Sequence, residues 1–577
     1  MRAKEHDGLL TVGATAGTYV VQLGLDMAQI DCEGLLGFSI HRRNHTKNSA
    51  GYLRGQRAFR SVAKGRYDPP FSTEHHPLQG FQWSDYQAEP GHRYTYTVSA
   101  LKGSVESPDT AAQVSVDVVT EDPENGAHDV YFNRGAAASQ QYANRFQNRT
   151  PSQVGQEAFT WLSRGLWEAM RDFIRSADST MGLRICAYEF DYGPLLAEVA
   201  QAIDRGVDVR LIYDRRDPDI YEDTESALRE NGLTDVAVGR QTSRSYISHN
   251  KFILKLADGG PASVWTGGTN FSEGGIFGHS NVAHVVEDPV VAAKYLAYWE
   301  ALAQDPSNGD LWPEVERLTP LPAGEPESGT TVLFSPRQNL DALNWYAARA
   351  TAARDALFMT FAFGMNPIFQ KVYKESAAPL RFALLESLVN RSLKADARRA
   401  AEEQMQQLRN LPENTFAVGS LMKSDVLEGW VAERLSGLNT NVHYIHNKFM
   451  LIDPLSADPI VVNGSANFSD ASTRRNDENM LVVRGDKRLA DVFLTEFMRM
   501  HQHHAFRESQ QFGSRLRRWG SRLVYAASHE PRQLASLARR EGRWLVEPTD
   551  SFWPWWPPYF DNIAKATRRT YFANPHL

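Results

Sequence analysis

Only two cysteines, Cys32 and Cys186, occur among the 577 residues of the chain. That excludes a disulfide framework and a cysteine-based zinc site, and both are expected as reduced core residues. No run of 18 apolar residues occurs, so no segment is written to span a bilayer as a helix. The opening "MRAKEHDGLLTVGATAGTYVVQLGLD" mixes Glu5 and Asp7 with its basic residues and interrupts its apolar ones with Gly and Thr. It reads as strands rather than as a signal peptide, and a cytoplasmic location is expected. A basic surplus is missing too: 62 basic against 69 acidic residues give −7 and a pI near 6.2. This argues against a broad, non-specific grip on nucleic acid, while a local basic cleft stays open to it. What is present is 42% apolar and 23% charged residues, ordinary for a folded protein, with length for about three to four domain-sized units.

The first of these is expected over 1–124. "TYVVQLGL", "LLGFSIHR", "YTYTVSAL" and "AAQVSVDVVTE" are short β-branched or aromatic runs separated by Gly, Pro and Asn. "FQWSDYQAEPGHRYTYTVSAL", with its Trp, "PG" turn and alternating Tyr strand, resembles the later part of a fibronectin-type-III or immunoglobulin-like sandwich. "TEDPENGAHD" is polar and turn-rich, a boundary near residue 125. Beyond it strands alternate with long helices. In "AFTWLSRGLWEAMRDFIRSA", Phe159, Leu162, Leu166, Met170 and Phe173 recur three or four apart, one apolar face of a helix. Strand–helix–strand alternation implies a parallel or mixed sheet flanked by helices.

An internal repeat divides this part into units expected at 125–325 and 326–510, with an aromatic-rich extension at 511–577. "RICAYEFDYGPLLAEV" aligns with "LFMTFAFGMNPIFQKV", "DVRLIYD" with "LRFALLES", and "GGTNFS" with "GSANFS". Eleven residues beyond Asn270 and Asn467 stand Asn281 and Glu478. From Phe190 to His249 is 59 residues and from Phe363 to His446 is 83. The extra 24 are expected in the Arg/Glu/Gln-rich stretch "SLKADARRAAEEQMQQLRNLPENT", as a helical insertion at the second-half mouth.

Within the repeat, "SHNKFIL" and "IHNKFMLI" each alternate so that His and Lys share one face of a strand: His249 with Lys251, His446 with Lys448. The doubled His-x-Lys with a downstream "G-[SG]-x-N" resembles the phospholipase D superfamily of phosphodiesterases, over about 125 to 505. The second copy carries the whole pattern: His446, Lys448, Asp453, Gly464, Ser465 and Asn467, then Glu478. The first keeps His249, Lys251, Gly267 or Gly268, and Asn270, but Leu256 stands where the motif has Asp, and Asn281 where the second half has Glu478. The resemblance implies an α/β (α+β) pseudo-twofold repeat of mixed sheets flanked by helices, preceded here by the all-β sandwich.

Phosphodiester hydrolysis gives such residues their reason. A neutral imidazole attacks the anionic phosphorus, and a second, protonated one donates to the leaving oxygen. Two lysines and two asparagines supply charge and N–H donors to the phosphoryl oxygens. The scheme calls for no metal and no cofactor. The resemblance implies His249 as nucleophile and His446 as acid/base, while a carboxylate on His446 would suit it to either role. Glu478 is expected to fix the tautomer of a site histidine, with Asn281 orienting, and Asp453 and Ser465 supporting. Arg134 and Arg337, at equivalent places in the two halves, are weaker candidates for a headgroup or phosphate. So are Trp553, Trp555, Trp556, Tyr559 and Phe560 for a lipid interface or base stacking; packing at a core edge is the plainer reading.

The expected activity is phospholipase D-type hydrolysis of a phospholipid to phosphatidate and a headgroup alcohol. A nuclease using the same chemistry, a cardiolipin synthase-like phosphatidyl transferase and a non-catalytic binding protein are the alternatives. The expected partner is a phospholipid or other phosphodiester, with peripheral membrane contact or, in the alternative, nucleic acid. Both half-sites in one chain point to a monomer.

Overall fold

The strand–helix alternation resolves into two seven-stranded mixed sheets built to one plan. The computed structural model describes residues 1–135, 140–242, 246–389, 393–419, 444–523, 544–550 and 553–577. The first-half sheet runs His128–Phe132, Val282–Val286, Gly260–Gly267, Lys251–Ala257, Gly182–Ala187, Asp208–Asp214, Ala237–Arg240. The second-half sheet runs Gly329–Ser335, Glu478–Arg484, Ile460–Gly464, Phe449–Ile452, Ala356–Phe361, Leu380–Leu385, Asn414–Val418. In each, the last two pairings are parallel and the rest antiparallel. This is the expected architecture of mixed sheets flanked by helices, present in two copies.

The central strands show why the sheets are covered on both faces. Every residue of Gly182–Ala187 and of Ala356–Phe361 is buried, as expected of strands lying between two layers. Alternate residues feed different cores: Leu357, Met359 and Phe361 one, Ala356 and Phe358 the other. One core joins the halves directly, with Phe252, Tyr295 and Tyr298 meeting Val332, Phe334 and Leu481. There Tyr298 stacks on Phe334, ring centres 4.1 Å apart. Tyr298 belongs to the helix Pro289–Ala303, whose start is fixed by Asp288 accepting from the Val290 and Val291 N–H groups and by Pro289.

Two expectations are corrected. The single helix through "AFTWLSRGLWEAMRDFIRSA" is two, Gln156–Ser163 and Leu166–Arg175. The break is at Arg164 (φ 50°) and Gly165 (φ 94°), where the Arg164 guanidinium is drawn to the Phe132 carbonyl at 3.0 Å and to Glu496 at 2.7 Å. Tertiary charge pairing outweighs helix periodicity there. Nor is the Arg/Glu-rich helix Ala395–Arg409 an insertion, for it has a counterpart in Pro218–Glu230. Most of the extra length falls later: Arg240 and His249 are 9 residues apart, Val418 and His446 28, and most of that segment lies outside the described residues. The C-terminal aromatics follow the plainer of their readings: Trp555 and Trp556 are buried in the N-terminal β core, and Trp553, Tyr559 and Phe560 pack against it.

That N-terminal region is a pair of four-stranded antiparallel sheets. In the strand Arg93–Gly103, Tyr94, Tyr96 and Val98 point into their shared core. The C-terminal helix Ile563–Ala573 lies so close to it that a Cβ at Gly24 would sit 2.1 Å from the Phe572 carbonyl carbon. Glycine is required there by contact, not by backbone angle. The helix Lys487–Leu523 runs through the boundary expected at 510. Both cysteines are buried and free. Among the described residues no helix is long and apolar enough to cross a membrane.

Asp453 has a structural post. At φ 48°, its carboxylate accepts from the backbone N–H groups of Arg354, Asp355 and Ala356 at 2.7–3.1 Å. It thereby fixes the turn entering the central strand. In the first half, Leu256 simply pairs in the sheet with Gly182. The strand Phe449–Ile452 separates Asp453 from His446. Asp453→Ala should lower unfolding free energy by about 2 kcal/mol, measured in urea, with sulfate affinity retained; unchanged stability would contradict this account.

Candidate active site

The strands carrying both His-x-Lys pairs end at the seam between the halves, where backbone groups need partners. The seam supplies them twice, in the same way. Ser248 bridges Asp477, and Ile445 bridges Ser280. The Asp477 N–H donates to the Ile247 carbonyl at 3.1 Å, and the Ser280 N–H to the Tyr444 carbonyl at 2.9 Å. A carboxylate at the end of each equivalent strand completes the hold: Asp214 accepts from Ser248 N–H at 2.6 Å, and Glu386 from Ile445 N–H at 2.9 Å. Behind the seam lies a buried chain of charges. Arg216 donates to Asp214 at 3.1 Å and to Asp477 at 3.2 Å, while Arg240 reaches Asp477 at 2.8 Å and Asp305 at 3.2 Å.

This framework makes each half orient the other half's histidine. His249 donates from Nδ1 to Glu478 Oε2 at 2.9 Å, and His446 from Nδ1 to Asn281 Oδ1 at 3.2 Å. Glu478 therefore serves His249, and the carboxylate-oriented His446 considered from sequence does not occur. The Asn281 amide is itself fixed by donating to the Gly275 carbonyl at 2.8 Å. In both rings Nδ1 carries the proton, so Nε2 is left as the reactive nitrogen. Lys251 donates to the His249 carbonyl and Lys448 to the His446 carbonyl, the latter at 2.6 Å. Asn270 is buried and Asn467 half-buried, and their amide oxygens have no hydrogen-bond partner among the described residues. Ser465 is spent on the fold, accepting from the Asn479 N–H at 3.0 Å.

Electrostatically the site is short of negative charge. Burial lowers the proton affinity of His249, against the pull of Glu478. His446 lies well below the ordinary value, through burial and then Lys448 and His279. Burial brings Lys251 down to about 8 despite Glu478 and Glu189. Lys448 is driven well down by burial and by Lys251. Two lysines and two histidines thus converge around Glu478 and, farther out, Glu189.

Several residues at the site escaped the sequence reading. The Tyr188 ring lies 5.0 Å from the His249 ring and 5.0 Å from Lys251 Nζ. Glu189 accepts from Ser272 Oγ at 2.6 Å. His279 lies against His446 with ring centres 4.3 Å apart. The signal available was position: Tyr188 and Glu189 follow a central strand, and His279 stands two before Asn281. Arg134 and Arg337 are held elsewhere. Arg134 donates to the Trp161 carbonyl at 2.8 Å, and Arg337 to the Phe334 carbonyl and Thr319 Oγ1, both at 2.9 Å.

The model of the family described as "Cardiolipin synthase, PLD-like domain" matches residues 170–303 and again 353–501. The two matched stretches lie one in each half of the repeat, and the model they match is that of a phospholipase D-like domain. No curated protein is similar to the chain at a significant level. Among solved structures, phosphatidylserine synthase of Haemophilus influenzae Rd KW20 is 12% identical, with 63% of this chain and 93% of that one covered, at a TM-score of 0.42. The phospholipase D family member Nuc of Salmonella typhimurium is 25% identical, with 23% and 84% covered, at 0.20. Polyphosphate kinase of Porphyromonas gingivalis is 12% identical at 0.36, with 56% of this chain covered; the chain spans 43% of that kinase.

At this site an arriving dianion restores proton affinity to the buried cations. Sulfate binding should therefore take up protons and weaken as pH rises through about 8, where Lys251 loses its charge. Calorimetry in two buffers of different ionisation enthalpy measures the uptake. Proton release, or an affinity flat from pH 6 to 9, would contradict the charge balance.

Proposed function

We propose that this site cleaves phosphodiesters by two displacements through a phosphohistidine. The observation that carries the reading is the crossed pairing, with His249 on the Glu478 carboxylate and His446 on the Asn281 amide. Phosphorylation of His249 at Nε2 leaves an imidazolium whose Nδ1–H faces Glu478, and a carboxylate stabilises that cation far better than an amide does. His249 is accordingly the nucleophile. As its Nε2–phosphorus bond forms and the phosphorus–oxygen bond breaks, His446 gives its Nε2 proton to the departing oxygen. In the second step His446 takes a proton from water, whose oxygen bonds phosphorus as the phosphorus–nitrogen bond breaks. Lys251, Lys448, Asn270 and Asn467 hold the phosphoryl oxygens.

The substrate we propose is a phospholipid, hydrolysed to phosphatidate and a headgroup alcohol, with peripheral contact of a monomer with the membrane surface. The acidic balance of the chain supports this over nucleic acid. So does Phe363, 50% exposed two residues beyond the central second-half strand, where its counterpart Phe190 is fully buried. The C-terminal aromatic cluster lends no support, being core. The description of the matching family favours one second reading, phosphatidyl transfer, in which an alcohol replaces water in the second step. The N-terminal β region, for which we keep the likeness to a fibronectin-type-III or immunoglobulin-like sandwich, holds the halves and takes no part in the chemistry.

With an activated aryl diester and alkaline quenching, His446→Asn should accumulate phosphate on His249, seen by peptide mass spectrometry, and His249→Asn should accumulate none. Label on His446 in the His249→Asn protein would reverse the roles; label in neither, with wild type active, would exclude the covalent scheme.

Glu478→Gln should lower kcat by about 10²- to 10⁴-fold. Turnover compared across phospholipid vesicles, single-stranded DNA and RNA, with EDTA present, reads the substrate. Faster cleavage of nucleic acid than of lipid would overturn the phospholipid assignment.

A further inference from the structure

The two halves differ most where their orienting residues stand. Positions equivalent under the repeat are Asn281 and Glu478, and, two residues earlier, His279 and Asn476. In the second half Asn476 donates to the free oxygen of Glu478 at 3.5 Å, so amide and carboxylate together serve His249. In the first half the carboxylate has become an amide and the amide an imidazole. That imidazole is built in with care. Asn133, fully buried, donates to the carbonyls of Ile276 and His279 at 2.8 and 2.9 Å and accepts from the Asn281 N–H at 2.9 Å. The π-helical turn Gly274–Gly278 leads directly into it; such turns are recurrent at functional sites. The result is a buried His279 ring tilted 43° against His446 at 4.3 Å.

We propose that His279 is the positioning residue that governs the proton on His446: the two imidazoles hold one proton between them, and His446 delivers it to the leaving oxygen. Two imidazolium charges in ring contact inside a buried site exclude one another, so the pair titrates as a unit. The other charged or titratable groups bearing on His446 are Lys448 on its own strand and Lys251 and His249 from the first half. Glu478 is engaged with His249, and Glu273 precedes the turn that carries His279. None of these gives His446 a carboxylate. A neutral ring face at van der Waals range accepts the cation, and it permits one proton while refusing a second. The asymmetry thus divides the labour: the half-site with the carboxylate holds the covalent intermediate, and the half-site with the second ring manages the proton.

This inference rests on the phosphodiesterase reading, and its test separates the two. In the full-length protein, kcat/KM is followed against pH for two diesters of the same acid, one with an alkyl leaving group and one with p-nitrophenol. Only the alkyl ester needs the proton of His446. His279→Phe keeps a ring face but removes the shared proton, so His446 should hold its own more tightly. The alkaline limb for the alkyl ester should move up by about half a pH unit or more, and that for the nitrophenyl ester should stay. Limbs that move together, or neither moving, would overturn the proposal. His279→Asn, which copies Asn476, should shift the alkyl limb in the same direction. Should both variants fail to fold, imidazole nitrogen NMR of the wild-type protein with sulfate bound decides: His279 and His446 should titrate in the same steps, and independent single steps would refute the pairing. If wild type cleaves neither ester, the phosphodiesterase reading falls, and the NMR titration still judges the pair.

Discussion

Everything at this site depends on a pairing that neither half can make alone. A buried histidine that must act on an anion needs a fixed tautomer, and the acceptor that fixes it comes from across the seam: Glu478 for His249, Asn281 for His446. Four chain segments must therefore meet within tenths of an ångström. The Asp214–Arg216–Asp477–Arg240–Asp305 chain is the part of the seam that enforces this, because Asp477 is the neighbour of Glu478 and is held by arginines of the other half. Buried ion pairs of this kind add little net stability, but removing one partner strands the other charge at a cost of several kcal/mol. Their effect is on geometry: any slip of one half against the other separates charges in a dry interior.

The pseudo-symmetry is strict in backbone and loose in chemistry. Bridges, strand-end carboxylates and lysine–carbonyl contacts recur on both sides of the seam. The acceptors facing the two rings do not. On the proposed reading the substrate, a phosphodiester, is itself unsymmetrical in reaction, one oxygen arriving and another leaving, and a symmetrical site would spend one half's charge in the wrong place. The loss of Asp at Leu256 belongs to a different account. Asp453 holds a turn at the far end of the strand Phe449–Ile452 from His446, whereas Leu256 pairs in the sheet and the turn into the first central strand is held by Asp178, which accepts from the Thr180 N–H at 2.8 Å. That gap in the motif is one of folding, not of reactivity.

The fold and the pairs of His and Lys were legible because both are written in local spacing: alternation on a strand, a repeated strand–turn–helix frame, and eleven residues from Asn270 to Asn281 and from Asn467 to Glu478. What stayed hidden was tertiary. Nothing local tells that Glu478 turns toward His249 rather than His446, since the choice is made by the seam. The helix break at Arg164 follows from a charge supplied by Glu496, more than 300 residues away. The Arg/Glu-rich helix Ala395–Arg409 looked inserted because its composition differs from that of Pro218–Glu230, although the two occupy the same place in the sheet order. His279 carried no signal in isolation, one histidine among 17; only contact with His446 gives it meaning.

The way Trp555, Trp556 and the helix Ile563–Ala573 complete the N-terminal core has a consequence for synthesis. On the ribosome the β region emerges before both halves of the repeat, yet the side chains that close its core and the helix that covers Gly13 and Gly24 are made after them. At about 5–20 residues per second, that region waits tens of seconds with an open apolar face while both halves are produced. Its closure then follows the synthesis of both halves, and it can occur only on a chain in which they are already present. The fold thereby leaves this core incomplete until both His-x-Lys pairs have been translated.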